Sequence, residues 1–337
     1  MKAAITTTAK YLPKRVLSNF DLEKMIDTSD EWIRTRTGIE TRRLVSKGQA
    51  SADMATEVAK ILLERSDTDK NEIDLIIIAT VTPDTILPST AARVQHNLGA
   101  QNCWGFDLLG ACTGFLYALE TGAKFVESGN YKKIMIIGVD TMSSIIDYTD
   151  RNTCVLFGDG AGGVLLEPSK NNNGIIDSLL RIDGAGGESL IVPGGGSLHP
   201  ASADTIKKKM HYVYQDGKTV FKFAVKRMAD ISSDILKKNK FTGEDVKLFI
   251  PHQANKRIID AAAKRCRIPN ERVLINIDKY GNTTDATIPI GMDDAVADGL
   301  INEGDLVLTS SPVNLFFFRM SELMSAIPLT ANLKTVL

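Results

Sequence analysis

The second half of this chain repeats the first, and that repetition limits the folds open to it. The stretch EIDLIII (72–78) follows an amphipathic segment from Ala55 to Arg65, and DVKLFI (245–250) follows a similar one from Ala229 to Asn239. Aligning Ile73 with Val246 takes a shift of 173 residues. YKKIMII (131–137) and GDLVL (304–308) align Ile134 with Leu306 at 172, and Gly129 aligns with Gly299 at 170. Three near-equal shifts in the same order predict two copies of one α/β unit. Apolar strands alternating with helices predict sheets covered on both faces. The polar run SKNNNG (169–174) is the expected connector. It divides the chain into a first half, 1–172, and a second, 173–337.

Composition narrows the function. A net charge of −1 over 337 residues gives no bulk attraction to nucleic acid or to an anionic membrane. No apolar run approaches the ~18–20 residues of a membrane span. The opening MKAAITTTAKYLPKRVL lacks the apolar core of a signal peptide, so a cytoplasmic setting is expected. The four cysteines, Cys103, Cys112, Cys154 and Cys266, form no CxxC pair. Reduced thiols and no metal site are expected. GDGAGG (158–163) does not stand in the strand–GxGxxG–helix order of a dinucleotide loop.

Cys112 lies in FDLLGACTGF (106–115), where a strand-like run meets Gly, Ala and Cys before Phe115, Leu116 and Leu119 at helical spacing. A cysteine in the first turn of a helix faces unpaired N–H groups and the positive end of the macrodipole, which favours thiolate. His252 lies in FIPHQANKR (249–257), where Pro251 ends a strand and a helix begins. Asn282 lies in KYGNTT (279–284), a turn followed by a helix cap pattern. Taken singly, His252 reads as a helix-start histidine and Asn282 as a cap. A shift of about 170 residues carries Cys112 onto Gly281 and Asn282, and carries the end of strand 75–78 to the neighbourhood of His252. All three therefore stand just past the strand ends of repeated units, where open α/β sheets carry their sites. Neutral His and Asn both donate hydrogen bonds without adding negative charge, which suits a thioester oxyanion or an enolate beside a cysteine.

On six ordered stretches the chain resembles the thiolase superfamily, and within it the β-ketoacyl-acyl-carrier-protein synthase III family. They are TSDEWIRTRTGIETRR (28–43), DLLGACTGFLYAL (107–119), DRNTCVLFGDGAGGVLLE (150–167), FKFAV (221–225), PHQANKRI (251–258) and GNTT (281–284). The resemblance implies a layered α-β-α-β-α fold with two five-stranded mixed sheets. It implies a decarboxylative condensation of an acyl-CoA primer with malonyl-acyl carrier protein, initiating type II fatty-acid synthesis. Cys112 would be the nucleophile, with His252 and Asn282 binding the malonyl thioester carbonyl. Trp32 and Arg151 would sandwich the adenine of coenzyme A, and Arg36 would contact the nucleotide. Leu87, Met142 and Phe157 match acyl-pocket positions. Leu87 would reach across a homodimer interface, and as a small residue there it predicts primers longer than acetyl. Lys222, Lys256, Arg257 and Lys264 would form a basic face for an acidic acyl carrier protein. No cofactor is implied, since the coenzyme A thioester is a substrate.

The resemblance stops near the C-terminus, and the tail 309–337 is atypical. The family carries an AFGGGFTWG-like stretch there, and one of its N–H groups joins the cysteine's own in an oxyanion hole. This chain reads SSPVNLFFFRM (310–320), with no glycine after Gly304. Pro312 has no N–H, and losing one oxyanion donor lowers rates by roughly 10²–10³. Leu315–Phe318 are expected either to fill the place of the family's last strand or to leave the sheet one strand short. Asp285 stands three residues after Asn282, where a small neutral residue is expected. Buried near Cys112, it would raise the thiol pKa. Beside an active condensing enzyme, two readings stay open: an impaired paralogue or dimer partner, and a related acyltransferase of secondary metabolism using the same three residues.

Overall fold

The computed structural model describes residues 1–312 and 314–320. Its first sheet has five strands in the order Ala3–Tyr11, Gly160–Pro168, Ile134–Asp140, Leu75–Ala79, Trp104–Leu108. The first two pairings are antiparallel and the last two parallel. The second sheet follows the same plan: Gly174–Leu179, Leu315–Arg319, Leu306–Ser310, Leu248–Pro251. Its fifth place is held by a single parallel bridge, Phe249 to Val273, so this sheet has four strands plus that bridge. The pairing of Leu75 with Ile134 recurs as Leu248 with Val307, each partner displaced by the same 173 positions.

Alternation along the strands sets the layers. Leu75, Ile77, Ile134 and Ile136 face a core between the sheets, which they share with Phe115, Leu119, Ile288, Met292, Ile250 and Val307. That core holds the helices Gly114–Glu127 and Thr287–Ala297. Ile76, Ile78, Met135 and Ile137 face outward, under the helices Ser51–Ser66 and Thr90–Leu98. Phe249 and Leu308 do the same beneath Gly217–Lys238 and Lys256–Cys266. Strands buried on both faces need apolar residues at every position, which is why LIII and IMII show no polar alternation.

The C-terminal segment completes its sheet. Leu315–Arg319 runs antiparallel between Leu306–Ser310 and Gly174–Leu179, and Phe317 and Phe318 are buried. The place expected for the closing strand is filled, and these two phenylalanines are not exposed. Val313 and residues 321–337, most of the atypical tail, lie outside the described residues.

Candidate active site

Cys112 is the middle residue of a three-residue 3-10 turn, Ala111–Thr113, that runs directly into the helix Gly114–Glu127. Ala111 takes φ 46, a left-handed conformation disfavoured for a residue with a Cβ. The second half repeats this entry. Thr284–Ala286 is a 3-10 turn opening with Thr284 at φ 51 and running into Thr287–Ala297. The counterpart of Cys112 is therefore Asp285, displaced by the same 173 positions, and not Gly281 or Asn282 as the coarser shift suggested.

The helix start does not make Cys112 a ready thiolate. Burial, and after it the carboxyls of Asp285 and Asp140, push its thiol up to about 12. The expected depression by the macrodipole is outweighed, first by burial and then by the acid set against the first turn. The Phe115 N–H donates to Asp285 Oδ1 at 3.0 Å.

His252 follows the strand Leu248–Pro251, and its N–H donates to Ser310 O at 2.7 Å. Its ring is fully buried, and burial holds it down to about 3, so it is neutral at physiological pH. Nδ1 lies 2.6 Å from Thr287 Oγ1, which also lies 3.2 Å from Thr284 O. The direction of the shorter contact follows the ring tautomer: with the Thr287 hydroxyl turned to Nδ1 rather than to Thr284 O, Nδ1 accepts and Nε2 carries the ring N–H. Nε2 has no partner among the described residues. Asn282 accepts the Thr284 N–H on Oδ1 at 2.9 Å, which turns its Nδ2 donor away from that bond. Its backbone is tied to Leu156 O and to the Gly158 N–H. The Thr284–Thr287 segment thus connects all three residues: it follows Asn282, bonds to His252 through Thr287, and touches the helix start of Cys112 through Asp285. Thr287 was missed in the sequence, where nothing distinguishes it from other threonines.

The oxyanion question has a partial answer. The Ser311 N–H donates to Asn314 O at 2.7 Å across the turn, and Pro312 has no N–H. Neither is free to bind an oxyanion beside Cys112.

Trp32, Arg36 and Arg151 come together as a cluster. The Arg151 guanidinium lies 4.2 Å from the Trp32 ring centre and that of Arg36 lies 4.9 Å away. Arg151 rests directly on the indole, so a base sandwiched between them would first have to part them. Met142 and Phe157 are buried in one cluster with Trp32. Leu87 is 83% exposed and does not join them within one chain. Of the basic residues, Arg257 stacks on Phe221 at 4.5 Å beside Lys222, whereas Lys256 pairs with Asp260 at 2.8 Å. Lys264 is exposed on the same helix. Among the described residues no cluster of His, Cys, Asp or Glu could hold a metal ion, and no helix is long and apolar enough to cross a membrane.

The duplicated sheets and shared helical layer place the molecule in the thiolase-like class. The chain matches the family described as 3-oxoacyl-[acyl-carrier-protein (ACP)] synthase III over residues 106–184 and its C-terminal part over 236–312. It is 54% identical over 312 residues to β-ketoacyl-[acyl-carrier-protein] synthase III of Koribacter versatilis, covering 92% of this chain and 94% of that protein. The corresponding protein of Chlorobaculum tepidum is also 54% identical, over 92% of this chain and 95% of its own. The crystal structure of 3-oxoacyl-[acyl-carrier-protein] synthase III from Aquifex aeolicus VF5 superposes with a TM-score of 0.86 at 41% identity, over 94% of this chain and 99% of that one. The chain belongs to the β-ketoacyl-[acyl-carrier-protein] synthase III family.

Proposed function

We propose that this chain condenses an acyl-CoA primer with malonyl-acyl carrier protein, initiating fatty-acid synthesis, with Cys112 as the nucleophile. The Cys112 sulfur attacks the primer thioester carbonyl, and coenzyme A leaves as its thiol with the cysteine proton. The malonyl group then loses CO2, and the electron pair of the broken bond becomes an enolate. The enolate carbon attacks the acyl-cysteine, and the sulfur leaves to give the β-ketoacyl carrier protein. Splitting the reaction this way is the usual gain of covalent catalysis. No cofactor is called for, since loss of CO2 supplies the carbanion. The carrying observation is His252, buried and neutral, with Nε2 unpartnered and its ring held by the same segment that follows Asn282. Nε2–H and the Asn282 amide are the donors for the enolate oxygen.

Intact mass after incubation with acetyl-CoA tests this directly. An acetyl adduct on the wild type, lost in Cys112→Ser, supports the reading, and β-ketoacyl product on adding malonyl-carrier protein completes it. A folded wild type that takes no acyl group sinks it. The Ser311–Asn314 turn bears on rate rather than on reaction type.

The cluster of Trp32, Arg36 and Arg151 is the proposed coenzyme A site, opened when a base displaces Arg151. Arg257, Lys222 and Lys264 are the proposed carrier-docking residues, with Lys256 partly neutralised by Asp260. A homodimer is supported by the edge strand Trp104–Leu108, next to which Trp104, Leu109, Ile86 and Leu87 are all exposed. An unpaired edge with apolar side chains beside it invites pairing with another copy. In that dimer Leu87 completes the acyl pocket of the opposite subunit, beside Met142 and Phe157. Sedimentation analysis should find a dimer at micromolar concentration, and a monomer throughout would refute it. A cytoplasmic location fits this role.

A further inference from the structure

Asp285 is fully enclosed. Its Oδ1 accepts the Phe115 N–H, while its own N–H donates to Asp140 Oδ2 at 3.1 Å. Two glycines make room for it: a Cβ on Gly114 would run into its Oδ1, and one on Gly138 would run into its backbone oxygen. Asp285 Oδ2 has no N–H or hydroxyl partner among the described residues. The side chain of Asp140, whose Oδ2 takes the Asp285 N–H, stands beside it and is itself fully buried. Two carboxyls form a bond only if one carries a proton, and like charges at that range cannot both persist away from water.

The neighbours say which one holds it. Asp140 accepts from the Thr80 hydroxyl at 3.1 Å, the Val81 N–H at 2.8 Å and the Thr82 hydroxyl at 2.9 Å, besides the Asp285 N–H. Four donors favour its ionised form. Asp285 has the helix-start amide and the Asp140 charge facing it. Burial first, then Asp140, hold Asp285 well above the ordinary carboxylate range, while burial raises Asp140 only to about 6. The other titratable groups around Asp285 are Cys112, on the turn before Gly114, and His252, neutral and linked through Thr287.

We propose that Asp285 and Asp140 share one proton beneath the first turn of the Gly114–Glu127 helix, and that this pair is a positioning element that keeps resting Cys112 a thiol. The pair occupies the Phe115 N–H in the helix's first turn and sets one negative charge beneath the turn that carries Cys112. Cys112 is thereby guarded against oxidation and alkylation until a thioester enters. The inference rests on the reading of Cys112 as the acylated nucleophile only for its purpose. The adduct mass tests that reading separately.

Two measurements test the pair. Infrared spectroscopy of the wild type at neutral pH should show the carbonyl stretch of a protonated buried carboxyl, absent from Asp285→Asn and shifted in Asp140→Asn, where the Asp285 proton loses its charged neighbour. Alkylation of Cys112 by iodoacetamide across pH is read with Cys112→Ser as the blank, since Cys103, Cys154 and Cys266 are buried. Removing both acids in Asp140→Asn/Asp285→Asn should speed it about tenfold at mildly alkaline pH, a shift of about one unit in the thiol midpoint. A wild-type spectrum without the band overturns the pair whether or not any variant folds. A band unchanged in position and strength in both single substitutions belongs to another carboxyl and overturns it as well. A double variant with the wild-type alkylation profile overturns the thiol-holding role.

Discussion

The entries to the two central helices have the same backbone and opposite chemistry. Each is a 3-10 turn that opens in the left-handed region, at Ala111 in one half and Thr284 in the other. The first presents Cys112 followed by Gly114. The second presents Asp285 followed by Thr287 at the place of Gly114. Repeated geometry supplied two equivalent positions, and only side chains distinguish the proposed nucleophile from the acid proposed to restrain it. The difference also explains Gly114: with Asp285 packed against that turn, there is no space for a side chain. On the other turn the equivalent Thr287 uses its hydroxyl to orient His252.

The largest way to break this comparison is on the second turn's side of the site. His252→Ala or Asn282→Ala should lower condensation by roughly 10²–10³, as loss of one oxyanion donor does, while acylation of Cys112 by acetyl-CoA survives. Single-turnover mass spectrometry separates the two steps, and equal loss of both would remove the assigned division of labour. Next is Gly114→Ala, which should destabilise the fold by about 1–3 kcal/mol as an overpacked core does, read as a lower denaturation midpoint. The same substitution in an Asp285→Ala background should be milder. Equal losses in both backgrounds would show that the acid is not what fills the space.

The smallest effect is in pH. His252 is neutral when folded down to about 3, against 6.5 when unfolded. Its folded pKa is depressed, so the unfolded chain binds more protons between those values. The related stability is fully present above 6.5 and is lost as pH falls. The loss should be on the order of 2 kcal/mol by pH 5 in the wild type. It should be smaller in His252→Gln, as measured by denaturant titrations at each pH. Parallel slopes in the two proteins would count against a buried neutral histidine.

Much of this was legible in the sequence. The repeat was visible because buried strands are apolar at every position, so EIDLIII and DVKLFI look alike whatever surrounds them. Cys112 and His252 were singled out as candidates because each follows a strand end; Asn282 was placed at one too, but it follows the short helix Ile277–Tyr280. The shift read from apolar runs varied by a few residues, since such runs have no internal marker. It therefore assigned Cys112 the wrong counterpart. Strand registers fix the displacement at 173 and reveal Asp285. The closing strand was ambiguous for the same reason: LFFF suits either a buried strand or an exposed apolar run, and only its pairing on both sides decides.

The sequence by itself determined the duplicated α/β plan and the family, and it proposed the three candidate residues, because these depend on local pattern and on side-chain identity. Whether Cys112 rests as thiol or thiolate was decided by the tertiary structure. The helix start argued for the charged form, while burial and two acids from distant segments argue for the neutral one. A pKa is set by everything within a few ångströms, and at Cys112 that includes residues 28 and 173 positions further along the chain.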